Sequence, residues 1–524
     1  MSDSPMEQKS EPQADGPGLP PLKDNNQLAI DERQLSPNAL ALLRHFSGMS
    51  LRDMKASNAA STEGLVIIGE ITEIEEKKAI FELLEAPDKN DPDEPGTVIK
   101  QYIIQTHNIM GVFTLHHGDE SLRLQITSRF DNSEMQPFLC WMLERVLKIT
   151  FSELIETRKA STFWTILLEL LFWRKLGEAS SIGLYRQYQR IEYNDLRFRG
   201  RLDIDRHIRL NMPLWDKIAY SRREITYDNP INHLLRHAAK MVLGHWGDNI
   251  LVGQENKDSL DMFSAIETNT STWELGNLRD ILLDKEVLNG IRHPYYADVY
   301  EDLRLLALAI VLEHGVDLYA RSDPDDFSIN GILFDGAWLW EEYLSTILVE
   351  DGFMRAIPMD TNQIYALKSG SKPYRKLFPD FRLPAGNEDN QNASIVLDAK
   401  YKRGDRNNGL EVKREDMHQC FCYMLLTGAA AGGVIYPPFL ENEQIEDDCN
   451  DEQMLDVFCP DGPRSWRCFT FGSVDKCTDE TFADRMRENE NLLRQFVLDM
   501  KNQAKMNDSK RKASAQQSRN GTKA

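Results

Sequence analysis

The chain has no apolar run approaching the roughly 20 residues that a membrane-spanning helix needs, so no membrane segment is expected. Its first residues, MSDSPMEQKSEPQADGPGLPPL, lack the apolar core of a secretion signal, and a cytoplasmic location is expected. Cysteine is scarce: there are seven, an odd number that points to free thiols in a reducing compartment. Cys449, Cys459, Cys468 and Cys477 are spaced widely and evenly, unlike the close Cys-x-x-Cys pairs of structural zinc sites. His116 and His117 are adjacent, and on a strand they face opposite sides, which argues against a shared metal. Phosphate-cradling glycine loops are missing too. The nearest glycine cluster, KSGSKPY, lacks the G-x-x-x-x-G-K-[ST] pattern, which argues against a P-loop motor in this chain.

Positive charge is in deficit. The net charge is −22, whereas a protein that grips nucleic acid unaided is basic at least over its contact face. The basic residues are local: Arg186, Arg190, Arg197, Arg199, Arg201, Arg206 and Arg209 with tyrosines between them, and the lysines and arginines after Lys501.

At 524 residues the chain exceeds one ordinary core, and two to four domains are expected. Residues 1–27, rich in Pro, Ser, Gln and Asp, read as a disordered tail. Residues 28–135 read as a β-rich module, with alternation in Leu122, Leu124 and Ile126. Residues 136–325 read as mainly helical; STFWTILLELLFWRKL is apolar almost all round and so is a buried helix. ARSDPDDFSINGI reads as a turn-rich gap before a module at 326–500 with the order helix, strand, strand, helix, strand. Within that module an acidic insert, 441–457, has no clear pattern, and 501–524 reads as a basic disordered tail. The expected class is multidomain, α/β and α+β, with a C-terminal mixed sheet flanked by helices.

The last module holds the chemistry. In IVLDAKYK, Asp398 and Lys400 are two apart and on a strand project from one face. Upstream, FPDFRL is a candidate partner strand that brings Asp380 to Asp398. Two carboxylates and an ammonium suit a hard divalent cation and a water nucleophile. Gln419 and Tyr423 stand one turn apart on the next helix, and Glu341 or Glu342 sits on the helix before the strands. Taken singly, each has a bland reading: Asp-x-Lys as solvated strand residues, Gln419 and Tyr423 as a helix boundary, Glu341 as a surface acid. Arg375 and Lys376 are candidate phosphate contacts, and His418 reads as incidental. The order and proximity of the set favour a common site.

This order, a helical Glu, then Pro-Asp, then Asp-x-Lys, then Gln-x-x-x-Tyr, resembles the PD-(D/E)xK nucleases with a RecB-like glutamine motif. More closely, GRLDIDRHIRLN, ITYDNPINHLLRHAAKMVL, LFPDFRL, IVLDAKYKR, REDMHQCFCYML and GGVIYP resemble the McrC-like nuclease subunits of McrBC modification-dependent restriction systems. The resemblance implies a PD-(D/E)xK nuclease fold at 326–500 and Mg²⁺ held by Asp380, Asp398, Glu341 and the Ala399 carbonyl. It implies Lys400, Gln419 and Tyr423 as further catalytic residues. Double-stranded DNA is the implied substrate, and a separate McrB-like AAA+ GTPase the implied partner, which this chain would stimulate. The N-terminal module is then a candidate motor-docking finger. Two other readings are a non-catalytic docking subunit and a free-standing RecB-like repair nuclease.

Overall fold

The computed structural model describes residues 19–57, 61–68, 78–90, 98–117, 120–131, 136–147, 163–213, 216–246, 256–271, 278–282, 284–313, 327–355, 364–369, 372–385, 393–402, 413–438, 455–457, 459, 462–474, 477 and 479–521. Alternation makes the N-terminal strands. In Glu120–Thr127, Leu122, Leu124 and Ile126 are buried while Glu120, Ser121 and Arg123 face water. This strand lies in a five-stranded sheet ordered Leu22–Lys23, Glu120–Thr127, Ile109–His117, Phe327–Asp335, Ser61–Ile68. A three-stranded sheet of Gln27–Asp31, Val98–Thr106 and Phe81–Asn90 accompanies it. Ordered structure therefore begins ahead of residue 28, with Leu22 paired to Ile126; residues 1–18 of the expected tail lie outside the described residues.

Phe327–Asp335 departs from the sequence reading, which placed a turn-rich gap there and opened the last module at 326. The segment is an inner strand of the N-terminal sheet, antiparallel to Ile109–His117 and parallel to Ser61–Ile68. Buried on both faces, it lacks the polar–apolar alternation of a half-buried strand. Ser328, Asn330 and Gly331 resemble turn residues only in isolation. Gly331, at φ 134°, is required by close approach: a Cβ would lie 2.2 Å from the Val112 carbonyl oxygen.

The middle region is built on Phe163–Ser180, packed against Lys257–Asn269 and Pro294–Glu313. Its fully buried Glu169 accepts hydrogen bonds from Trp246 Nε1 at 2.6 Å and pairs with His245 Nδ1 at 2.8 Å, so an acid within an apolar helix is satisfied. A separate antiparallel sheet joins Gln187–Asp195, Ile218–Thr226 and Arg201–Leu202.

Asp335 ends the inner N-terminal strand and caps the next helix, Gly336–Leu348, by accepting from the Ala337 N–H at 2.8 Å. No linker separates the N-terminal sheet from the helix that carries Glu341. A six-stranded mixed sheet follows, ordered Met354–Arg355, Phe381–Pro384, Ala393–Ala399, Ala431–Tyr436, Arg464–Thr470, Leu455–Val457. Alternation gives it two apolar faces. Val396, Val434 and Trp466 pack with Cys420, Tyr423 and Met424 of the helix Arg414–Thr427. Leu397, Ile435 and Phe469 belong to the main core with Phe496 and Val497 of the last helix.

That last helix, Asp479–Gly521, runs well past residue 500, where the sequence reading ended in a disordered tail. Polar anchors hide it from a hydropathy reading: Asn507 Nδ2 donates to the Ala430 carbonyl at 3.1 Å and Arg511 Nη1 to the Gly428 carbonyl at 3.0 Å. Of the acidic insert only Leu455–Val457 is described, as a sheet-edge strand. Among the described residues no helix is long and apolar enough to cross a membrane.

Candidate carboxylate–lysine active site

Strand register brings the two aspartates together. Phe381 pairs with Leu397 in the antiparallel ladder, so one step outward Asp380 comes opposite Asp398. Asp380 Oδ2 accepts a hydrogen bond from the Ala399 N–H at 2.7 Å. Asp398 is only 1% exposed, and no backbone N–H donates to its carboxylate among the described residues. Lys400 Nζ stands 2.7 Å from Asp398 Oδ2 as an ion pair. Lys400 Nζ also donates to Gln419 Oε1 at 3.1 Å, and Gln419 Nε2 donates to the Tyr423 hydroxyl at 2.7 Å. The i, i+2 strand pair and the i, i+4 helix pair thus meet in one chain of contacts.

The electrostatics follow from burial. Burial pushes the Asp380 carboxyl well above the usual range, and the charges of Asp398 and Glu341 push it the same way against the pull of Lys400. Burial alone lowers the Lys400 ammonium, but Asp398 and Asp380 together outweigh it and raise it. Burial also raises the Tyr423 phenol, opposed by its Gln419 contact. The Glu341 carboxyl is raised to about 7 by burial, with Asp335 and Asp398 adding to the rise and Arg355 opposing it.

Glu341 stands beside the aspartates rather than in a closed cage with them. Arg355 Nη2 lies 3.5 Å from Glu341 Oε2, and the same guanidinium pairs with Glu342. Among the described residues no three His, Cys, Asp or Glu side chains are gathered into a ready metal cluster. The donor chemistry near Asp398 nevertheless fits a hard divalent ion: carboxylates, one of them buried with no backbone N–H donor on either oxygen, and neither thiolate nor imidazole in the set.

Sequence reasoning missed four neighbours: Arg355, Lys402, Asp416 and Tyr436. Arg355 comes from a two-residue strand with no pattern of its own. Buried Asp416 accepts from Lys402 Nζ at 2.7 Å and from the Tyr436 hydroxyl at 2.7 Å, fixing the segment after Lys400 to the Arg414–Thr427 helix. Lys402, two beyond Lys400, was the available signal. His418 is exposed on that helix, and the side chains of Arg375 and Lys376 lie outside the described residues.

The raised Glu341 carboxyl has a measurable consequence. The folded chain holds that proton more tightly than the unfolded chain, whose ordinary value is 4.5. The associated stability is present below pH 4.5 and is lost as pH rises through about 7. In EDTA the thermal midpoint should fall across this window, and Glu341→Gln should make the fall shallower; an unchanged slope counts against it.

The geometry defines a class of site: paired aspartates and a lysine at the end of a mixed sheet, faced by a glutamine–tyrosine helix. The match to known families then falls on one name. The chain belongs to the family described as McrBC 5-methylcytosine restriction system component, which matches residues 104–437. No curated protein matches the chain. A chain of the refined half-complex from the tetradecameric assembly of Thermococcus gammatolerans McrB AAA+ hexamers with bound McrC is similar at 14% identity with TM-score 0.43, covering 89% of this chain and 99% of that one. A chain of the Thermococcus gammatolerans McrBC complex is similar at 14% identity with TM-score 0.29, covering 63% of this chain and 87% of that one.

Proposed function

We propose that this chain is the DNA-cutting, McrC-like subunit of a modification-dependent restriction complex: a Mg²⁺-dependent PD-(D/E)xK endonuclease acting with a separate McrB-like AAA+ GTPase. The observation that carries this reading is Asp398, a buried carboxylate set against Asp380, with the Lys400 ammonium as the one cation paired to it among the described residues. A binding scaffold gains nothing from crowding two carboxylates against a single ammonium, an arrangement that leaves one negative charge uncompensated and is costly where water is excluded. The partner follows from family membership together with the sequence: a restriction-system component with no phosphate-binding loop of the P-loop kind leaves nucleotide hydrolysis to another chain. A DNA-holding partner also accounts for a nuclease of net charge −22.

Asp380 and Asp398 would hold the ion, with Glu341 and the Ala399 carbonyl as further oxygen donors. When bound, Mg²⁺ supplies Lewis-acid activation of a water and a phosphate oxygen. Lys400, its ammonium stabilised by both aspartates, stays protonated at neutral pH. It would act as a hydrogen-bond donor that orients water and offsets charge on the phosphate. Gln419 holds the Lys400 ammonium through its Oε1, and Tyr423 fixes which way the amide points. Gln419→Ala should lower the cleavage rate by roughly 10- to 100-fold, with a smaller loss in Gln419→Glu, which keeps an acceptor facing Lys400. Equal rates in all three proteins would remove Gln419 from the site.

The test is cleavage of 5-methylcytosine-containing duplex DNA by the full chain with Mg²⁺, with and without the candidate GTPase and GTP, against Asp398→Ala. Cutting that needs GTPase and GTP and disappears in the variant is the expected result. Cutting without the GTPase would mark a free-standing nuclease. Stimulated GTP hydrolysis without cutting would mark a docking subunit.

A further inference from the structure

A groove of 710 Å³ lies where the Gln187–Asp195 and Ile218–Thr226 strands meet the start of the Pro294–Glu313 helix, on a different sheet from Asp398. Arg186, Arg223 and Arg292 line it, in a chain of net charge −22. None of the three is ion-paired among the described residues, whereas nearby Arg206 and Arg222 are paired with Glu192 and Glu224. The one carboxylate in the lining, Glu286, already accepts a hydrogen bond from the Tyr185 hydroxyl at 3.1 Å. The positive end of the Pro294–Glu313 helix dipole adds to the field.

Two aromatic rings stand open in the same groove. Tyr188 is 60% exposed and Tyr295 is 61% exposed, and the Arg223 guanidinium lies 5.7 Å from the Tyr188 ring centroid. Unpaired guanidinium groups interleaved with exposed rings match a ligand that alternates anionic groups with flat aromatic faces. A single nucleic-acid strand does so. A duplex hides its base faces in the stack, and an acidic peptide would use the arginines but leave both rings bare.

We infer that this groove binds a short single-stranded nucleic-acid segment, with phosphates on Arg186, Arg223 and Arg292 and bases stacked on Tyr188 and Tyr295. Binding here needs no metal and holds whether or not Asp398 reacts.

The experiment is fluorescence anisotropy of a fluorescein-labelled oligothymidylate with the full chain in EDTA, where cleavage is blocked and cannot be confused with binding. The Arg186→Ala/Arg223→Ala/Arg292→Ala variant should bind at least roughly tenfold more weakly, with a shallower dependence on log salt. Tyr188→Ala and Tyr295→Ala should each weaken binding by roughly fivefold or more. All these positions are exposed, and unchanged melting curves verify folding. Equal affinity of the triple variant and the parent overturns the inference. So does competition by polyglutamate as effective as that by unlabelled strand, which would mark an acidic-protein site, or duplex DNA binding that outcompetes the single strand.

Discussion

Replacing Asp398 with asparagine is expected to lower Mg²⁺-dependent cleavage by about 10³-fold or more while leaving the metal-free protein at least as stable as the parent. Both halves come from one fact: Asp398 is buried beside Asp380, whose carboxyl is pushed up by desolvation and, after that, by the charge of Asp398. Asparagine keeps the shape and one oxygen but removes the charge that a divalent cation needs. It also relieves the repulsion between two adjacent carboxylates. Lys400 keeps a counter-charge, because Asp380 also favours its ammonium form. Function and stability therefore move in opposite directions, as at sites built for chemistry rather than for folding. Single-turnover cleavage and the thermal midpoint in EDTA read the two halves separately. A variant that cuts at the parental rate would remove Asp398 from the mechanism. Lys400→Ala sharpens the contrast: a loss of about 10²- to 10⁴-fold in rate with little loss of metal-dependent stabilisation is expected from a group that acts on water and phosphate.

The parts of this site that were legible in the sequence are those whose geometry is local. Asp398 and Lys400 share a face because strand residues alternate, and Gln419 and Tyr423 share one because a helical turn is nearly four residues; the contacts Lys400–Gln419 and Gln419–Tyr423 join the two. The approach of Asp380 to Asp398 needed only a hairpin-like pairing, which Phe381 and Leu397 provide. Arg355 was not legible. Its pairing with Glu341 and Glu342 depends on how a two-residue strand adds to the sheet edge, a tertiary event with no sequence period. Phe327–Asp335 was misread for a related reason: an inner strand covered on both faces shows no alternation, and its Asn-Gly pair mimics a turn. The helix beyond residue 500 escaped because it is anchored by Asn507 and Arg511 rather than by a broad apolar stripe.

The misread strand matters for function because it ties the N-terminal sheet directly to the Glu341 helix, and a second tie sits beside Lys400. Tyr401 is 7% exposed and stands edge-to-face with Phe130, ring centroids 4.9 Å apart. The Arg129 guanidinium lies 4.9 Å from the Tyr401 ring centroid and donates to the Tyr401 carbonyl. The Tyr401 hydroxyl is 3.2 Å from Ser128 Oγ. Arg129 is held in turn by Asp24, which accepts from its backbone N–H at 2.6 Å and lies 3.5 Å from its guanidinium. The residue after the proposed catalytic lysine is thus clamped to the N-terminal module. Tyr401→Ala should cost about 3–5 kcal/mol, the range for emptying a buried aromatic site, with the lost cation–π contact included. Tyr401→Phe gives up only the hydroxyl contact and should cost about 1 kcal/mol. Cleavage separates anchoring from mere bulk. Assayed well below its own melting midpoint, Tyr401→Ala should still cut at least roughly tenfold more slowly, because a lysine displaced by about 1 Å is mispositioned for chemistry. If the folded Tyr401→Ala protein cuts at the parental rate, the clamp only stabilises. If it is slow, the N-terminal module has a direct mechanical route to the active site through one side chain, and whatever binds that module can act on Lys400.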